Sequence, residues 1–214
     1  STIRPHSCVS SDKEERECIG RLADMKHRII TLTLSLCLAL SPHLYAQVFT
    51  LQEAMATRGT ALLIRHAIAP GFGDPENFQV NDCRTQRNLS SQGQAQSRAI
   101  GAALINAGFQ PAEILSSPWC RCLDTAKFMN IGPVRAFDGL ASFFQGHADR
   151  TETMRLLRSR LAEIDPKDQP LIMVTHQVVI SGLTGIGTRS GGAVLYDPST
   201  NRTQQVEMPK PPYE

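Results

Sequence analysis

The chemistry-bearing residues of this chain stand at the ends of short apolar runs. In ALLIRHA, residues 61–67, four apolar residues lead into Arg65 and His66. In EILSSPWCR, residues 113–121, a shorter run gives way to Ser116 and Ser117, and Arg121 follows four positions beyond Ser117. In LIMVTHQ, residues 171–177, the run ends on His176 and Gln177. Guanidinium forks match the geometry of phosphate oxygens. A neutral imidazole is a nucleophile, and cationic neighbours disfavour its protonated form. If the three runs are neighbouring strands, two arginines and two histidines meet at one place, a cluster that an anion would neutralise. Ser117 and Gln177 are then placed to add hydrogen bonds.

The elements that would carry these residues follow from pattern and punctuation. A short helix over 49–55 leads to Gly59 and a strand over 60–64. A long loop rich in Gly, Pro, Asn and Asp comes next, and loops of that length are usually functional. In LSSQGQAQSRAIGAALINAGF, residues 89–109, Ser91 and Gln94 fit a capping box. Ala95, Ala99, Ala102 and Ala103 form a narrow helix face, and Gly108 ends the helix. EILSSP reads as a strand, with Pro118 at the first position of a helix over 119–129. A further helix with Met154, Leu157, Leu161 and Ile164 on one face precedes a strand over 171–176. QVVISGLTG continues as a helix, and GGAVLYD and TQQVEM close the chain as a strand pair around PSTN. Strands alternating with helices predict an α/β fold, a three-layer αβα sandwich with a mostly parallel central sheet. In such sheets ligands bind beyond the carboxyl ends of the strands, where all three polar clusters fall.

LIRHA, LSSQGQAQSRAIGAAL, SSPWCRCLDTA and VTHQVVISGLTG also resemble, in order and spacing, the blocks of the histidine phosphatase superfamily, the phosphoglycerate mutase-like proteins. The resemblance covers most of residues 58–186. Ala67 stands where the motif usually has glycine. The resemblance implies that His66 is the nucleophile, that Arg65, Arg121 and His176 complete a phosphate pocket, and that Arg87 in QRNLS contacts phosphate or substrate. It implies hydrolysis through a phosphohistidine with no cofactor and no metal. Exported members suggest envelope sugar phosphates, such as lipopolysaccharide core heptose phosphate, as substrate. A non-hydrolytic binder of phosphorylated envelope components would use the same pocket.

Two positions depart from the family. Many members carry a glutamate after the second block to protonate the leaving oxygen; in FDGLASFF, matching through Leu140, Ser142 occupies that position. Another branch has an aspartate directly after the second histidine, where this chain has Gln177. The candidate general acids are therefore Asp74, Glu76 and Asp82 in the long loop, which is preferred, and Asp138.

Composition bounds the remainder. With 41% hydrophobic residues, 20% charged residues and a net charge of +2 over 214 residues, one sizeable core is expected, and no basic stripe argues for nucleic acid. Residues 25–46 have the layout of a secretory signal peptide. Lys26, His27 and Arg28 precede an apolar run too short to span a bilayer, and Ala46 supplies a small residue at the cut. Residues 1–24 then read as a disordered upstream extension, and residues 47–214 as a histidine phosphatase domain, secreted or periplasmic, without stable membrane insertion after cleavage. Its partner is a small-molecule or glycan phosphate. Export leaves Cys83, Cys120 and Cys122 in an oxidising compartment, enough for one disulfide between Cys83 and either of the others. The Cys-x-Cys of CRC lacks the two-residue spacing of zinc knuckles.

Overall fold

The computed structural model describes residues 48–211. The upstream extension and the signal peptide expected over residues 1–46 lie outside them. Among the described residues no helix is long and apolar enough to cross a membrane. The elements run α1 Leu51–Ala56, β1 Ala61–Arg65, α2 Ser91–Asn106, β2 Ile114–Ser116, α3 Cys120–Met129, β3 Val134–Ala136, α4 Arg150–Ala162, β4 Leu171–Thr175, α5 Gln177–Thr184, β5 Ala193–Asp197 and β6 Arg202–Val206.

The six strands form one sheet in the order β3-β2-β4-β1-β5-β6. The pairings β3·β2, β2·β4 and β4·β1 are parallel, and β1·β5 and β5·β6 are antiparallel. The sheet is thus mixed, with its parallel part carrying the three runs of interest. Side-chain alternation sends Leu62, Ile64, Ile172 and Val174 to one face, where they pack with Ile100 and Leu104 of α2 and Ala126 and Met129 of α3. Ala61, Leu63 and Met173 face the other way, onto Leu157 and Leu161 of α4 and Val179 and Ile180 of α5. Strands buried on both faces explain the continuous apolar runs, and the result is the expected three-layer sandwich.

Element details differ from the sequence expectation in instructive ways. Phe49 is not helical: it makes a parallel bridge to Val206, and Thr50 caps α1 in a capping box with Glu53. The cap of α2 is Ser90, which accepts from the Gly93 amide at 3.1 Å, one residue before the expected Ser91. The buried face of α2 is not the alanines, of which Ala102 is exposed, but Gly93, Gln96, Ser97, Ile100, Gly101 and Leu104. Glycine, not alanine, sets the close approach: a Cβ on Gly101 would lie 2.0 Å from the Met129 carbonyl oxygen of α3. Gly108, with φ +91°, ends the helix as expected. Trp119, not Pro118, borders α3 as its N-cap. Ile164 lies beyond the end of α4 and joins the same cluster from there.

Cys83 is bonded to Cys120, and Cys122 is a buried free thiol. The disulfide ties the loop between β1 and α2 to the first turn of α3. A second tie lies beside it, where the Cys120 amide donates to Gln86 Oε1 at 2.9 Å.

Candidate active site

β2, β4 and β1 are adjacent, so the three polar clusters emerge side by side at their carboxyl ends. Arg65 is in register with Thr175, and the backbone amides of His66 and Ser117 donate to the carbonyls of Thr175 and Val174, each at 2.9 Å. The chain leaving β1 is then fixed by two buried side chains that sequence reasoning missed. Thr125 Oγ1 accepts from the Ala67 amide and Gln96 Oε1 from the Ile68 amide, both at 3.0 Å. The signal for Gln96 was a glutamine inside a helix face that must be buried, a place where an amide side chain needs fixed partners. A cavity of about 440 Å³ opens here, with Arg65, His66, Arg87, Arg121, His176 and Gln177 in its lining.

His66 is 2% exposed, and its Nδ1 stands 2.8 Å from the carbonyl oxygen of Ala67. A carbonyl only accepts, so Nδ1 carries the proton and Nε2 keeps its lone pair. Burial, then the Arg121 charge, lowers the His66 pKa to about 3, with smaller contributions from Arg87 and Arg65 and opposed only by the Ala67 bond. The ring is therefore neutral across the physiological range.

His176 lies 5.6 Å away, ring centroid to ring centroid. Arg121 Nη2 donates to its Nδ1 at 3.5 Å, so the proton is on Nε2, which donates to Ser117 Oγ at 2.8 Å. Burial and the same guanidinium hold its pKa well below the ordinary histidine value. Ser117 thus stands behind His176 and orients it. The Cys122 thiol packs against this ring, Sγ 3.5 Å from Nε2, and burial pushes it up to about 12, so it stays an unreactive thiol.

Arg65 and Arg121 are held by their outer nitrogens, Arg87 by Nε and Nη1. Arg121 Nη1 and Nη2 donate to Asp74 Oδ1 and Oδ2 at 2.7 and 3.1 Å, a bidentate pair with both side chains under 5% exposed. Arg65 Nη1 donates to the Thr188 carbonyl at 2.8 Å, and Gln177 holds the same turn by accepting from the Thr188 amide at 2.9 Å. Arg87 Nε donates to the Gly73 carbonyl at 3.0 Å, and its Nη1 to that of Ala69. After these bonds are made, Nε of Arg65 and Nε of Arg121 remain buried without a partner. A buried N–H without an acceptor is costly, about 1–3 kcal/mol, and both of these belong to side chains that line the cavity.

The four candidate acids separate. Asp74 does adjoin the cluster, but as an ion-pair anchor. Burial alone would raise its pKa; the bonds from Arg121, the Arg87 amide and Trp119 Nε1 outweigh that and hold it below the ordinary carboxylate value. A carboxylate held ionised by two guanidinium bonds is not a proton donor in this arrangement. Glu76 is exposed in the loop and absent from the cavity lining. Asp82 caps the 3₁₀ turn Cys83–Thr85 and pairs with exposed Arg84 at 2.7 Å. Asp138 is exposed and lines a different cavity, beyond Trp119. Ser142 is 3% exposed and does line the His66 cavity.

No protein-family model matches the chain, and no curated protein matches it. Solved structures do. The product of the open reading frame Rv3214 from Mycobacterium tuberculosis aligns with a TM-score of 0.50 at 14% identity, covering 70% of this chain and 96% of that one. SixA from Agrobacterium tumefaciens aligns with a TM-score of 0.49 at 20% identity, over 72% of this chain and 99% of that one. The mycobacterial glucosyl-3-phosphoglycerate phosphatase Rv2419c, solved with inorganic phosphate, gives 0.47 at 17% identity, over 69% and 95%. At such identities the likeness speaks to architecture alone, a mixed α/β sandwich about one six-stranded sheet that the chain shares with the Rv3214 product.

Proposed function

We propose that the protein is an exported phosphatase that hydrolyses phosphate esters through a phosphohistidine on His66. The observation that carries this reading is the free Nε2 of His66 in a cavity lined by the three arginines Arg65, Arg87 and Arg121. In the first step Nε2 attacks phosphorus. The N–P bond forms as the ester P–O bond breaks, and the leaving oxygen departs with the bonding pair. Arg65 and Arg121 flank the phosphoryl group and stabilise the charge on its oxygens as it moves, and His176 joins them by turning its Nε2–H from Ser117 to a phosphoryl oxygen. In the second step water attacks phosphorus, the N–P bond breaks, and neutral His66 and inorganic phosphate are regenerated. No carboxylic acid other than ion-paired Asp74 adjoins the cavity among the described residues, so the leaving oxygen takes its proton from solvent. Guanidinium groups facing the anion offset its charge, and this sequence of steps calls on no metal.

The Cys83–Cys120 disulfide supports export, because such bonds persist in oxidising compartments. Envelope sugar phosphates, including lipopolysaccharide core heptose phosphate, are the substrates we favour. The same lack of an acid favours, as a second reading, a protein that binds phosphorylated ligands without turning them over.

The test is hydrolysis of para-nitrophenyl phosphate by the purified protein in EDTA, wild type against His66→Ala. We expect chelation to leave the rate unchanged and the substitution to lower kcat by about 10⁴-fold or more, as loss of a nucleophile does elsewhere. A folded wild type that binds inorganic phosphate yet turns over nothing would establish the binder.

A further inference from the structure

Among the described residues four large apolar side chains are exposed, Val48, Phe72, Ile105 and Phe144. Two of them line the His66 cavity. Phe72, in the loop after β1, is 89% exposed, and Phe144, in the 3₁₀ turn Phe144–Gly146, is 38% exposed. Their rings meet edge to face, 5.2 Å between centroids and 85° between planes. An aromatic ring left in water forgoes the stabilisation of burial, about 25 cal/mol per Å² of its apolar surface, so a ring this exposed at a cavity mouth asks for an occupant.

The pair is held deliberately. Gln145 joins the two segments by grasping the main chain of one loop residue: its Oε1 accepts from the Asp74 amide at 2.8 Å and its Nε2 donates to the Asp74 carbonyl at 3.3 Å. To do so Gln145 adopts φ +59° and ψ +10°, a left-handed conformation unfavourable for a residue with a Cβ. Gly73 makes room for the clasp, since a Cβ there would lie 2.6 Å from Gln145 Oε1. Arg87 braces the same loop at Ala69 and Gly73, on either side of Phe72. Strain kept at such a place is accounted for by function.

The cationic groups of the lining are Arg65, Arg87 and Arg121; the remainder, including Pro70, Phe72, Ser142, Phe144 and Val178, is uncharged.

We infer that Phe72 and Phe144 form the leaving-group subsite, and that it takes an uncharged group with a flat apolar face, an aromatic ring or the C–H face of a sugar. This rests on the reading of His66 as the centre of phosphate chemistry. In this subsite the rings stack on the group that departs.

The experiment compares wild type with Phe72→Ala and with Phe72→Ala/Phe144→Ala on para-nitrophenyl phosphate, glucose 1-phosphate and methyl phosphate. Phe72 is so exposed that its removal leaves folding intact, which a thermal melt checks. We expect kcat/KM for the ring-bearing esters, relative to that for methyl phosphate, to fall about 10- to 100-fold in the double variant, the scale of two lost aromatic contacts. A fall for the aryl ester alone identifies an aromatic occupant, and for the glucose ester alone a sugar. An unchanged ratio for both overturns the subsite. Should wild type turn over none of the three while binding inorganic phosphate, the hydrolytic reading fails by itself, and calorimetry decides the subsite. It stands if phenyl phosphate binds more tightly than inorganic phosphate in wild type and loses that advantage in the double variant, and falls if the advantage is absent or persists.

Discussion

The role proposed for His66 requires an unprotonated ring, and burial and the Arg121 charge keep it so, with a pKa of about 3 against an ordinary 6.5. Two consequences follow. The acid limb of kcat/KM that reports this imidazole should lie near pH 3, so a rate profile between pH 5 and 7 should show no loss from protonation of His66. Stability should behave oppositely. Between pH 6.5 and 3 the unfolded chain binds a proton at this residue that the folded chain refuses, so stability falls as the pH falls, by about 1.4 kcal/mol per unit. Denaturant melts at pH 7, 6, 5 and 4 should show this, with a shallower dependence in His66→Asn. Asp74 is tested by a different contrast. Asp74→Ala removes one member of a buried pair and should cost about 3–5 kcal/mol in a urea melt. If Asp74 only anchors Arg121, Asp74→Asn lowers turnover equally for aryl phosphates with good and poor leaving groups. A loss growing with leaving-group pKa would instead make it the acid. Arg65, His66, Arg121 and His176 were legible in the sequence because each stands at, or shortly after, the end of an apolar run. The Arg121–Asp74 pair was not, because its members lie 47 residues apart and carboxylates are common in loops.

At the scale of elements, the pattern of strands and helices was legible and the contact surfaces were less so. Alanines at helical spacing suggested the packing face of α2, yet the side that meets α3 carries Gly101, where the Met129 carbonyl leaves no room for a Cβ. Periodicity gives the angle of a face but not the distance of its neighbour. The S-x-x-Q box misled by one residue because LSSQ offers two serines, and the amide of Gly93 selects the first. Cysteine arithmetic reached one disulfide but left its partner open. Cys120, at the first turn of α3, meets Cys83, while Cys122 is carried to the His176 side of the helix. That cross-link closes a span of 37 residues, and removing it by Cys83→Ser/Cys120→Ser should cost about 4 kcal/mol on the chain-entropy account. The same variant should lose turnover beyond its loss of stability, measured well below its melting temperature, because the loop it releases carries both Asp74 and Arg87.

The whole molecule follows the rule that an open α/β sheet gathers its chemistry beyond the carboxyl ends of neighbouring strands. The order β2-β4-β1 at its centre is what converts three distant stretches of sequence into one cavity. Its periphery carries a separate lesson, in the bridge between Phe49 and β6. The Phe49 amide donates to the Gln205 carbonyl at 2.9 Å, and the Glu207 amide donates back to the Phe49 carbonyl at 2.7 Å. A few residues of chain thus shield an outermost strand whose bare main chain would be a template for pairing with another molecule. Any maturation cut therefore has a downstream limit. Removal of residues 1–46 keeps the shield, whereas a chain beginning at Gln52 would present β6 unguarded, and light scattering should find it self-associating where the longer form stays dispersed. The place where the protein can safely be trimmed is written into its last strand.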